Sequence, residues 1–251
     1  MLRALVVVLV AIALLAGAFV LLAPASLLAG RVEKATGGAF TARDVEGTLW
    51  RGRGVIAGGG AQLPLAWTVD ATPLIQGELR AHFAAFDGAS AAPHGDVIAQ
   101  RNHIGLRDMD LTVPAIMVTQ ATALGRLGLV ADGEIAIATP RLVWTPVSIE
   151  GDMQGVWRGA RLTLPPFPPV DLGELTATLA ADGTRLAGPV TNRGGDLDIR
   201  GDIALGADQS VAVTLTLTPR RAGDTALARV LGAFGTPDGA GWRVAWRSPP
   251  R

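Results

Sequence analysis

Cysteine is missing from the 251 residues. Disulfide staples, thiol nucleophiles, Cys-ligated zinc and iron–sulfur clusters are thereby excluded, and the redox compartment is left open. Lysine occurs once, at Lys34, so 21 of the 22 basic residues are arginine. A P-loop or Schiff-base lysine would have to be Lys34. Its setting, Glu33-Lys34-Ala35-Thr36-Gly37-Gly38, lacks the glycines that precede a P-loop lysine. Net charge is absent too, with 22 basic against 22 acidic residues. Such a balance gives no field to gather phosphates and argues against a nucleic-acid partner. Charged residues make up only 18% against 49% apolar. A disordered or solvating chain has the opposite balance. The length suits one all-β unit with an anchor.

Active-site patterns are also scarce. The serines, at 26, 90, 148, 210 and 248, lie in no Gly-x-Ser-x-Gly element. His82, His94 and His103 fall at no metal-binding spacing, and each reads as solvated or locally hydrogen-bonded. Asp108 with Asp110, and Asp196 with Asp198 and Asp202, would each share a strand face. An acid/base pair or a calcium site could be built from such residues. Their alternation with Leu and Ile is the pattern of a solvent-facing strand, and that reading is preferred. Gly58-Gly59-Gly60 and Gly52-Arg53-Gly54 lack the spacing of a phosphate loop and read as turns or close strand approach. No catalytic residue, cofactor or metal ligand is assigned.

What is present begins with an apolar run. Ala4 to Ala23 is uncharged over 20 residues. As a helix it would rise about 30 Å, the thickness of a bilayer core. Pro24 follows and favours a break. Ala23-Pro24-Ala25 has the small-x-small form of a signal cleavage site. However, the run exceeds the usual roughly 7–15-residue signal core, and proline sits between the alanines, so the anchor is expected to be retained. Residues 1–30 are read as this anchor, with a cytoplasmic N-terminus and export of everything after it. Arg3 favours that orientation; Arg31 and Lys34 pull against it. Ala13 and Gly17 form a small-xxx-small pair that could pack against another span; the commonness of Ala and Gly in spans is the plainer reading.

The exported part, 31–251, reads as an extended, curved antiparallel β-sheet with one or two short helices. Leu65, Trp67 and Val69 alternate with Ala66, Thr68 and Asp70. Val211, Val213, Leu215 and Leu217 alternate with Ala212, Thr214, Thr216 and Thr218. Leu197, Ile199, Ile203 and Leu205 keep one parity around Gly201. One apolar and one wet face is the antiparallel signature. Asp87-Gly88, Asp132-Gly133, Asp182-Gly183 and Asp238-Gly239 are hairpin-turn candidates. Asp224 can cap a helix bearing Leu227, Val230, Leu231 and Phe234, closed by Gly235. A weaker helical pattern covers Pro114 to Leu127, and residues 25–35 could extend the anchor helix beyond its proline.

Leu49-Trp50-Arg51-Gly52 is echoed by Val156-Trp157-Arg158-Gly159. The echo suggests two related β-units, about 31–140 and 141–251, against a background of chance matching in a Gly/Leu-rich chain. Trp67 and Trp246 read as core. For Trp50 and Trp157 the arginine neighbours leave core and interface readings both open.

Several blocks together resemble a known family. They are Leu22-Ala23-Pro24-Ala25-Ser26-Leu27, then Val45 to Arg53 with its Gly47-Thr48-x-Trp50-x-Gly52 element, then Leu63-Pro64-Leu65-Ala66-Trp67 and Leu74 to Leu79. Gly194 to Gly201, Ala226 to Gly232 and Pro237 to Trp246 follow in order. The pattern resembles protein N of the type II (general) secretion pathway, least closely between about residues 81 and 150. The resemblance implies a non-enzymatic, bitopic inner-membrane protein with its β-rich part in the periplasm. It implies an accessory role in moving folded proteins across the outer membrane, beside other inner-membrane and periplasmic subunits. Gly47, Thr48, Trp50, Gly52, Trp157 and Gly159 are the candidate interface or structural signature. The alternative is a periplasmic lipid-binding protein whose open apolar β-groove cradles an acyl chain.

Overall fold

Two-residue alternation and glycine-rich turns produce strands throughout the chain. The computed structural model describes residues 23–70, 72–85, 93–121, 128–221 and 223–248. The expected span lies outside these apart from Ala23, and so do Ala13, Gly17 and the Asp87-Gly88 turn. Among the described residues no helix is long and apolar enough to cross a membrane.

The first strands are β1 (Thr41–Gly47), β2 (Arg51–Gly58), β3 (Ala61–Asp70), β4 (Leu79–Ala84), β5 (His94–Gln100) and β6 (His103–Pro114). Longer ones follow: β7 (Val130–Trp144), β8 (Ile149–Thr163), β9 (Val170–Ala181), β10 (Arg185–Arg193), β11 (Leu197–Gly206) and β12 (Val211–Pro219). Two short ones close the chain, β13 (Thr236–Asp238) and β14 (Gly241–Arg247). All 14 join one sheet in chain order, except that β14 lies between β12 and β13. Each strand pairs antiparallel with its neighbour, and one sheet runs through both halves of the chain.

An open sheet of this width must curl. Trp144, at the end of β7, donates its Nε1–H to the carbonyl of Ala207, just beyond β11, at 3.0 Å. In a flat sheet those strands would be four spacings apart, about 19 Å. The second half therefore folds over itself as a trough. Glycines at register shifts support the bend. β8 shifts between Trp157 and Ala160, where Gly159 takes φ +59, and β9 pairs across a shift at Gly173, with φ +75. Such bulges add twist and bend.

The inner face of the trough carries the core. On β11, Leu197 and Ile199 join one buried cluster while Ile203 and Leu205 pack on a second. Residues of one parity share a strand face, so both clusters lie on the same side of the sheet. The expected alternation is thus observed: Leu215 faces Gly201 and Leu217 faces Ile199 across the ladder.

Three α-helices and one 3-10 turn (Thr72–Gln76) accompany the sheet among the described residues. α1 (Ser26–Ala35) covers the flank of β1, as the pattern of 25–35 allowed. α2 (Ala115–Ala121) packs on β7, with Ala115 and Met117 buried. It falls within the expected 114–127 stretch, of which 122–127 lie outside the described residues. α3 (Thr225–Phe234) starts where expected: Asp224 Oδ1 accepts from the Leu227 N–H at 2.9 Å. Asp182-Gly183 and Asp238-Gly239 are hairpin turns, as expected. Asp132-Gly133 is not. The strand continues through it, and Gly133, at φ +96, makes a bulge against the backbone of Arg158 and Gly159.

Candidate functional site

The Gly47–Gly52 signature is a welded turn between β1 and β2. Gly47 ends β1 at φ +92, a conformation that disfavours side chains, and a Cβ there would strike the backbone of Arg51. The Thr48 N–H donates to the Arg51 carbonyl at 2.8 Å, and its Oγ1 accepts from the N–H groups of Trp50 (3.3 Å) and Arg51 (3.2 Å). Gly52 is the floor for the Trp67 indole, because a Cβ at that position would fall on the ring. Trp67 then donates its Nε1–H to the Leu49 carbonyl at 3.2 Å, and Val69 N–H bonds the Trp50 carbonyl.

This turn also holds the chain where the expected span ends. Ala25 N–H donates to Gly47 O at 3.1 Å, and Leu49 N–H donates to Ala23 O at 2.9 Å. Pro24 and Thr48 face each other as a β-bridge between these bonds. Ala23 and Ala25 are buried. The sequence marks both alanines as a possible cleavage site but not as partners of this turn, because backbone pairing across more than 20 residues leaves no local signal.

Trp157 and Gly159 lie apart from this turn, inside β8. Trp157 packs against the cluster that includes Leu172 and Leu197, and its Nε1–H donates to Asp132 O in β7 at 2.9 Å. Its ring also borders a partly enclosed cavity under α3. The echo therefore occupies two settings, a turn for Trp50 and a mid-strand bulge for Trp157.

Trp246 corrects the expectation of a core residue: it is 56% exposed. It lies opposite Val213 on the face that carries Trp242 and Val244. α3 covers the other end of β14, so parity points Trp246 inward but nothing among the described residues roofs it.

The titratable residues form surface pairs. His82 Nδ1 lies 2.7 Å from Asp96 Oδ1 across β4 and β5, both well exposed. Asp198 pairs with Arg200 (3.2 Å) and Arg220 (3.8 Å), and Asp196 Oδ2 accepts from the Asp171 N–H. Asp108 and Asp110 are exposed, and Asp108 takes φ +46 beside the shift in the β5–β6 register. Among the described residues no three His, Asp or Glu side chains are placed to hold a metal ion. Three carboxyls sit below their usual range: Glu78 through a hydrogen bond from Gln100, helped by Arg80; Asp182 through the Arg185 backbone and side chain; and Asp208 through Ser210. Asp182 and Asp208 lie in turns, while Glu78, just before β4, is held by Gln100 at the end of β5. The arrangement offers shape and contact surface, with these polar groups engaged in turns and in surface pairs between strands.

No curated protein and no solved structure matches the chain. The family model described as type II secretion system (T2SS), protein N, matches residues 39–245, more than four-fifths of the chain. The matched stretch contains the welded turn, both bulged strands and the capped helix α3, and on that match the chain belongs to the type II secretion system protein N family.

Proposed function

We propose that the chain is an inner-membrane-anchored, non-enzymatic component of the type II secretion machinery. Its curled sheet would stand on the periplasmic side and act through protein contacts. The observation that carries this reading is the backbone weld between Ala23–Ala25 and Gly47–Leu49. A domain clamped to the last residue of its span has a fixed attitude to the bilayer, as a scaffold between membrane subunits requires.

In an antiparallel meander every second turn shares an end. The welded turn therefore shares its end with the β7–β8 turn, whose Val147 is 78% exposed, and with the start of β6, whose Ile104 is 54% exposed. Exposed apolar side chains at the end nearest the span suit proximity to lipid or to neighbouring spans. The sheet edges offer less: α1 flanks β1, and β13 is three residues long with a proline. Trp246 beside Arg247 is the better docking element, a large exposed aromatic next to a cation.

The test is a deletion strain assayed for an exoprotein in periplasm and medium. Exoprotein should accumulate in the periplasm and return to the medium when the gene is supplied on a plasmid. A plasmid carrying Trp246→Ala should restore secretion poorly although that variant melts at the wild-type temperature. Full secretion by the deletion strain would remove the reading.

A further inference from the structure

The apolar cavity under α3 is not used by the scaffold role. It lies between the inner face of the trough, the segment 164–168 and the helix, and has a volume of about 310 Å³. Its walls include Trp157, Leu172, Leu197, Leu215, Val230 and Phe234, and every lining side chain is apolar. Phe234, at the end of α3, lines the cavity and is 51% exposed, so the wall reaches the surface as an apolar edge.

We infer that this cavity binds a single hydrocarbon chain, with any polar head left outside at the rim. The lining chemistry selects the class. A donor, acceptor or charge placed inside would meet no partner and would lose its hydration. Water is disfavoured for the same reason, and apolar cavities of about 150 Å³ stay dry and take up apolar ligands. The volume falls at the lower end of small-ligand pockets, roughly 300–1,000 Å³. A flexible chain needs only apolar contact along its length, which the walls supply throughout. The chain could belong to a phospholipid or to an acylated protein. The inference stands without the anchor and without the secretion role, since it uses only the walls of the trough.

The experiment uses the full chain in phosphatidylcholine vesicles and two photoactivatable probes bearing the same diazirine acyl chain. One is a lysophosphatidylglycerol, the other an N-acylated peptide. Crosslinks are mapped by mass spectrometry. Labelling is expected on peptides containing Leu215 or Val230, beside labelling of residues 1–30 as an internal control. Leu217→Trp, which fills the cavity, should cut the cavity labelling roughly tenfold or more and leave the control unchanged. If that variant fails to fold, Val230→Phe serves the same purpose. Cavity labelling by one probe alone identifies the source of the chain, and labelling by both assigns the site to the chain chemistry itself. Labelling confined to residues 1–30, or cavity labelling that survives in a folded filled variant, overturns the inference.

Discussion

Thr48 is the smallest unit on which the welded turn depends. Its hydroxyl oxygen is the acceptor for two N–H groups, so Thr48→Ala leaves both without that partner. A loss of about 0.5–1.5 kcal/mol is expected, read as a lower urea midpoint of the full chain in detergent, with Thr48→Ser largely restoring it. Gly52→Ala should cost a similar amount, because the new methyl must displace the Trp67 ring and with it the bond to Leu49. A second residue-scale expectation concerns acid. Glu78, Asp182 and Asp208 are held below their usual range by hydrogen bonds made in the fold. A lowered folded-state value means the charged form is favoured by folding. Their contribution is therefore complete above the ordinary carboxylate range, around pH 4, and is lost as pH falls through the lowered values. Melting temperature should be level from neutrality to that range and fall below it. Asp182→Asn should start lower and show a shallower acid limb; an unchanged limb would place the acid sensitivity elsewhere.

At the scale of elements, α3 is the clearest case of local instruction. Asp224 and the apolar residues at 227, 230, 231 and 234 predict both its start and its buried stripe, and Leu227, Val230 and Leu231 are buried. Asp224→Ala should destabilise by about 1 kcal/mol and Asp224→Asn by much less, measured by thermal melting. Strand alternation in β11 and β12 was equally legible, since a two-residue period needs no distant partner. Asp132-Gly133 was not. The same dipeptide serves a hairpin turn or a bulge, because both ask for positive φ, and only the pairing with β8 decides between them. Trp246 was misjudged for a related reason. Its parity was right, but burial depends on whether a helix roofs that end of the sheet. The weld to Ala23–Ala25 and the Trp144–Ala207 bond were equally invisible, since each joins a backbone carbonyl to a donor far away in sequence.

At the scale of the whole molecule, two constraints combine. The trough is closed on itself by Trp144 and Ala207, and the first hairpin is bonded to the chain where the expected span ends. If the expected span is an anchor, a sheet bonded to its end would transmit its attitude to the proposed docking element, Trp246, far along the chain. If that attitude matters, loosening the stem should harm secretion without harming the fold. Inserting Gly-Ser-Gly-Ser between Leu21 and Leu22 leaves 18 uncharged residues, Ala4 to Leu21, long enough to span, and puts a flexible stem between them and the bonds of Ala23 and Ala25. The same insertion in the Gly59–Gly60 turn adds equal flexibility where no orientation is carried. Both proteins should melt near the wild-type temperature and stay with carbonate-washed membranes. The stem insertion should leave exoprotein in the periplasm, while the turn insertion should secrete normally. Equal secretion by the two would mean that the weld serves folding of the first hairpin alone, and that the domain works at any angle to its anchor.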